Sequence, residues 1–177
     1  MNNLIFLKIY SIIYIERLKG VLMMNELEKA ITKWFKDYGF DDVAIESCDR
    51  YSYDLVDHVI HVDDEEYDDE LFVWFEQFMY EYGMKMKDIP GPVLAFLHEL
   101  GHYATIDQFS EFNLIACQLT KFEYGHTYED MCEYWCVPDE FAACMWALDF
   151  INSYPEAVID LIYAWIYPSN SLMEARK

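Results

Sequence analysis

Three residues in the segment LAFLHELGHYAT (Leu94–Thr105) are able to do chemistry together: His98, Glu99 and His102. Histidines at i and i+4 on a helix share one face, with Cβ atoms about 5–6 Å apart. That separation lets both imidazoles reach one zinc ion at about 2.0–2.1 Å. The glutamate that follows the first histidine stands beside the ion without ligating it. From there it takes a proton as an activated water attacks a carbonyl, the chemistry of the HExxH pattern. The surrounding VLAFLHELGHYAT is apolar, whereas charged surface helices produce most chance matches to this pattern. Gly101 costs a helix interior about 1 kcal/mol relative to alanine, which makes sense if a second element must come close there.

A catalytic zinc takes three protein ligands and keeps a fourth position open. The candidates for the third ligand are His126, Glu133, Asp139, Glu140 and Cys144. Glu140 is favoured by its surroundings. Ala143 and Ala147 follow it at i+3 and i+7, so its carboxylate sits above a stripe of small side chains that lets the two helices lie close. A carboxylate opening an otherwise apolar helix is also costly unless it is paired or bound to metal. The group that would steady a developing oxyanion is open among Tyr103, His126 and Tyr134. His58 and His61, if both lie on a strand, point to opposite faces and do not make a two-histidine site. Cys132 and Cys136 stand at i and i+4, but no second cysteine pair completes a structural zinc site.

HELGH followed by YWCVPDEFAACMWALDFI resembles small gluzincin-type zinc peptidases of phages and mobile elements, distantly similar to the ImmA/IrrE metallopeptidases. In that group a Tyr-x-x-Leu-Pro-x-Glu-x-x-Ala-x-x-Trp-Ala-x-x-Phe pattern follows the HExxH helix. The chain matches it at Tyr134, Val137 (for Leu), Pro138, Glu140, Ala143, Trp146, Ala147 and Phe150. The resemblance implies zinc as cofactor, His98, His102 and Glu140 as ligands, Glu99 as general base, and a protein or peptide as substrate. It spans roughly residues 51–152, and YSYDLVDHVIHV looks like the strand region before the active helix. Trp135 stands where a basic residue often follows the tyrosine. Cys144 stands where related zincins commonly have an acid that supports the site.

The elements that must position these residues are legible in outline. Asn25 is expected to cap a helix over about 26–38, with Leu27, Ile31, Trp34 and Phe35 on one face and Gly39 at its end. Val43–Ile45 and Tyr51–Val62 read as strands. The acidic run DDEEYDDE (Asp63–Glu70) suits the positive end of a following helix that stops at Gly83. It lacks the ligand spacing and glycine of an EF-hand loop. Pro92 opens the HELGH helix, expected to run to about Ala104. Residues 105–132 are ambiguous, with Phe112–Leu119 leaning to helix. A nearly all-apolar helix starts at Pro138, and Ser153 and Pro155 open a last one. The expected fold is therefore α+β, a minimal zincin-like domain, mostly helical with a small sheet packed on the HExxH helix.

With 177 residues and 54% hydrophobic side chains, the chain is expected to bury one core and to be ordered. Residues 23–177 read as one domain. Residues 1–22 are expected to be either an upstream extension from a misassigned start, with Met23 or Met24 the true beginning, or a disordered extension. The apolar run Leu4–Ile15 carries Lys8 and is too short to span a bilayer, so stable membrane insertion is not expected. Five cysteines and no cleavable leader fit reduced thiols in the cytoplasm. The formal charge of −21 repels phosphate backbones, so direct nucleic-acid binding is not expected. The same charge supports a different reading, a non-catalytic acidic interaction protein. Such a protein would be a nucleic-acid mimic or a zincin scaffold that binds partners without cleaving them.

Overall fold

Apolar residues spaced for one helical face open the structure. A computed structural model describes residues 20–48, 50–63, 69–121 and 127–168. Helix α1 (Gly20–Tyr38) buries Leu27, Ile31, Trp34 and Phe35, the stripe expected from their spacing. Gly39, at φ +84°, turns the chain out of the helix in a region that side chains with a Cβ avoid. Asn25, expected at the start of this helix, lies inside it. The extension expected over residues 1–22, with its apolar run Leu4–Ile15, lies almost wholly outside the described residues.

Strand β1 (Ala44–Cys48) pairs parallel with β3 (Val59–Asp63), and β3 pairs antiparallel with β2 (Ser52–Asp54). The sheet order is β1-β3-β2, which leaves β2 at an edge. Tyr51–Val62, expected as one strand region, is thus two strands and a turn. The Asp54 carboxylate accepts from the Val56 and Asp57 backbone N–H groups and closes that turn. Short aspartate side chains favour such local bonds over a continued ladder. His58 lies in the turn at φ +53°, so the opposite-face argument for His58 and His61 does not apply. Its Nδ1 instead meets the Tyr53 hydroxyl at 2.5 Å.

Helix α2 (Asp69–Glu81) follows the acidic run, whose residues 64–68 lie outside the described residues. Helix α3 (Gly91–Thr105) carries HELGH, with a proline in its first turn as expected, and a 3-10 turn (Ile106–Gln108) ends it. The ambiguous stretch forms α4 (Glu111–Lys121) and α5 (Tyr128–Trp135). Thr127 caps α5 by accepting from the Asp130 backbone, while Asp130 accepts from Thr127 in return. Helices α6 (Pro138–Ser153) and α7 (Pro155–Ile166) complete the described chain, each opened by proline.

The fold is α+β, mostly helical with one small sheet. Helix α3 sits at its centre, between the sheet and α6, with α1, α2 and α7 around them. The core is aromatic. Trp34 stacks on Phe40 at 5.7 Å, meets Phe96 and Phe150 edge-on, and donates from its ring nitrogen to the Ala157 carbonyl at 2.8 Å. Burying an indole without that bond would strand a polar N–H. Among the described residues, no helix is long and apolar enough to cross a membrane.

Candidate metal centre

The site begins with a missing side chain. A Cβ placed on Gly101 would stand 2.4 Å from the Ala143 carbonyl oxygen and 2.9 Å from its Cα. Only glycine on α3 lets the α6 backbone come that near, and Ala143 and Ala147 are fully buried along the contact. The first turn of α6 therefore lies against the face of α3 that carries both histidines. Asp139 and Glu140 occupy that turn, where the helix dipole favours negative charge.

This approach brings the donor atoms together. His98 Nε2 lies 2.8 Å from Glu140 Oε2, and His102 Nε2 lies 3.4 Å from Glu140 Oε1. One ligand atom from each of the three residues lies within 4.8 Å of the other two. The other nitrogen of His98, Nδ1, meets the Cys144 sulfur at 3.4 Å, and Phe75 closes over the ring edge-on at 5.4 Å. His98 and Glu140 are buried, and His102 is half-buried. Burial works against a charged Glu140, but the adjacent His102 and His98 imidazoles outweigh it and hold the carboxyl well below its usual range.

Glu99 faces a cavity of about 220 Å³ together with His102, Glu140, Asp139, Lys121, Tyr134 and residues of β2. Burial pushes its carboxyl up to about 7, helped by the Glu140 charge; His98, Lys121 and the Tyr53 backbone N–H pull the other way. The Tyr134 hydroxyl is raised by burial and by the Glu140 and Glu99 carboxylates, and it hydrogen-bonds Glu140. Lys121 reaches in from the end of α4. Its Nζ lies 2.6 Å from Asp139 Oδ2 and 2.5 Å from Glu140 Oε1, with the side chain 12% exposed.

Of the sequence candidates, His98, His102, Glu140 and Glu99 come together. Asp139 is turned to Lys121, Glu133 is exposed on α5, and Cys144 meets the far nitrogen of His98. Tyr134 lines the cavity, whereas Tyr103 packs on Tyr53 and His58. His126 lies outside the described residues. No other group of three potential ligands converges among the described residues. Lys121 went unnoticed in the sequence. Its signal is the stripe Leu114, Cys117 and Lys121, the inward face of an otherwise exposed helix. No family model, curated protein or solved structure matches the chain.

Proposed function

We propose that the protein is a zinc-dependent metallopeptidase of the gluzincin type, with His98, His102 and Glu140 as ligands and Glu99 as general base. One observation carries this reading: two imidazole nitrogens and a carboxylate from the HExxH helix and its closest neighbour converge beside a cavity that Glu99 also lines. Two nitrogens and one oxygen are a donor set of catalytic zinc sites. The 3.4 Å separation of His102 Nε2 and Glu140 Oε1 also suits neighbouring corners of a tetrahedron with bonds of about 2.0–2.1 Å. With Nδ1 of His98 turned to Cys144, Nε2 is left for the ion.

When bound, zinc supplies a Lewis acid that lowers the pKa of water and polarises a carbonyl. The chain's residues do the rest. Glu99, a carboxyl with burial-weakened acidity, accepts the water proton as the oxygen attacks the scissile carbonyl carbon. The carbonyl π pair moves onto its oxygen. On collapse the C–N bond breaks, and Glu99 returns the proton to the leaving amine. The substrate would be a protein or peptide threaded past β2. Five free thiols favour a reducing cytoplasmic compartment, and the motif resemblance favours a phage or mobile-element origin.

The test is metal content joined to one substitution. Purified protein should carry about one zinc per chain by elemental analysis, and His98→Ala, His102→Ala and Glu140→Ala should each lose it. Glu99→Gln should keep the zinc and lose about 10²–10⁴-fold in peptide hydrolysis. A wild type that takes up no zinc refutes the reading. A cellular effect that persists undiminished in zinc-loaded Glu99→Gln would favour the acidic interaction protein instead, which the charge of −21 supports.

A further inference from the structure

Hydrolysis through Glu99 requires a partner for the negative charge that gathers on the substrate's carbonyl oxygen. The cavity is poor in positive charge. Three carboxylates, Glu99, Asp139 and Glu140, line it, and the lining contains one lysine or arginine, Lys121. Of the two tyrosines considered from sequence, Tyr103 does not line the cavity, and the Tyr134 hydroxyl is engaged with Glu140.

Resting on the metallopeptidase reading, we propose that Lys121 is the electrophile of this site, the group whose ammonium receives the developing oxyanion. Its geometry fits that task. An ammonium has three N–H donors. One is directed to Asp139 Oδ2 at 2.6 Å and a second to Glu140 Oε1 at 2.5 Å. The third remains for an incoming oxygen. Two buried carboxylates hold the nitrogen in place, so no reorganisation is needed as charge develops, and a preorganised donor is worth most in a water-poor site. Lys121 ends the inward stripe of α4, and its Nζ lies 5.8 Å from the centre of the Tyr134 ring. Hydrolysis then balances as before: water gives its proton to Glu99, the carbonyl pair moves to oxygen opposite Lys121, and the proton returns to the amine as the C–N bond breaks.

The probe is inorganic phosphate, an anion with tetrahedral oxygens, titrated against cobalt-loaded protein whose visible spectrum reports the metal's surroundings. Wild type should show a saturable spectral change. Lys121→Met should load one cobalt and bind phosphate about tenfold more weakly, as expected for loss of a charged hydrogen bond. Removing Lys121 also leaves Asp139 unpaired, and the added negative charge would repel phosphate without any direct contact. The double variant Lys121→Met/Asp139→Asn separates the two effects. It should still bind at least threefold more weakly than wild type if Lys121 touches the anion. Recovery of wild-type affinity in the double variant overturns the proposal, as does a loss below threefold in Lys121→Met or a wild-type spectrum indifferent to phosphate. If Lys121→Met does not fold, the double variant, which leaves no unpaired buried charge, decides alone. Protein that loads neither cobalt nor zinc refutes the metallopeptidase reading itself, an outcome distinct from all of these.

Discussion

Helices α3 and α6 meet along a closely packed seam, while α4, which lines the same cavity, is mostly surface. Along the seam Gly101, Ala143, Cys144 and Ala147 are buried, backbone against backbone. On α4 only Cys117 is buried, and Phe112, Ile115 and Leu119 are 78%, 54% and 65% exposed. The difference separates two jobs. On the proposed reading, ligands would need to hold their separations to a few tenths of an ångström, and His98 and Glu140 sit where packing is tight. The α4 wall is held by buried Cys117 and by the ion pairs of Lys121 with Asp139 and Glu140, a looser attachment that would suit admission of a peptide on the proposed reading.

Substitution in the seam should have the largest effect. Gly101→Val would drive a branched side chain into the α6 backbone, which has no rotamer by which to yield. A loss of about 3 kcal/mol or more is expected in denaturant unfolding, together with loss of bound zinc. A Gly101→Val protein with wild-type stability would mean that the two helices can separate freely, and the contrast with α4 would fail.

Cys144→Ala tests the seam more gently. The thiol meets His98 Nδ1 at 3.4 Å, a partner for the nitrogen that faces away from Glu140. Losing such a partner should weaken zinc binding by about 10–100-fold in a chelator competition, with Cys144→Ser restoring part of it. Equal affinity in all three proteins would show that packing alone orients the ring.

The seam was far more legible in the sequence than the wall. HELGH and the Glu140, Ala143, Ala147 spacing depend on contacts within a helix or between two helices with small residues, and both leave periodic marks. Gly101 gave itself away as a costly residue in a helix interior. The region 105–132 gave little. The lean to helix over Phe112–Leu119 did not say which side is buried; Phe112, Ile115 and Leu119 are exposed, and α4 buries the narrower stripe that includes Cys117 and Lys121. A lysine that pairs with carboxylates from a distant helix has no local signature. The hairpin was hidden for a related reason: Asp54 closes a turn through its own side chain, in a run otherwise rich in strand formers.

A smaller effect is expected away from both regions. The Tyr38 hydroxyl donates to Asp160 at 2.8 Å and ties α1 to α7. Burial and the Asp160 carboxylate push its ionisation up to about 12 from 10.0. The neutral phenol is thus the form that folding favours. Its contribution is fully present below pH 10 and disappears as pH rises toward 12. Tyr38→Phe should cost about 1 kcal/mol near neutrality and remove this part of the alkaline loss, while zinc content stays unchanged. An identical alkaline slope in both proteins would place the titration elsewhere.

The smallest effect should come from the outer face of α4. Phe112→Ser and Ile115→Ser replace apolar side chains that are mostly exposed, so little buried area is lost and no cavity is made. Surface substitutions of this kind fall within about 0.5 kcal/mol of wild type. Serine is also a poorer helix former than many residues, by only a few tenths of a kcal/mol at each position. Unfolding midpoints and zinc content should therefore match wild type closely, in contrast to the collapse expected from one added side chain at Gly101. If Phe112→Ser instead lowers stability by more than about 2 kcal/mol, the ring is buried in solution by a surface the single chain does not supply. Repeating the measurement over a hundredfold range of protein concentration then decides the source. A midpoint that rises with concentration assigns the cover to a second copy, and one that does not assigns it to a rearranged α4.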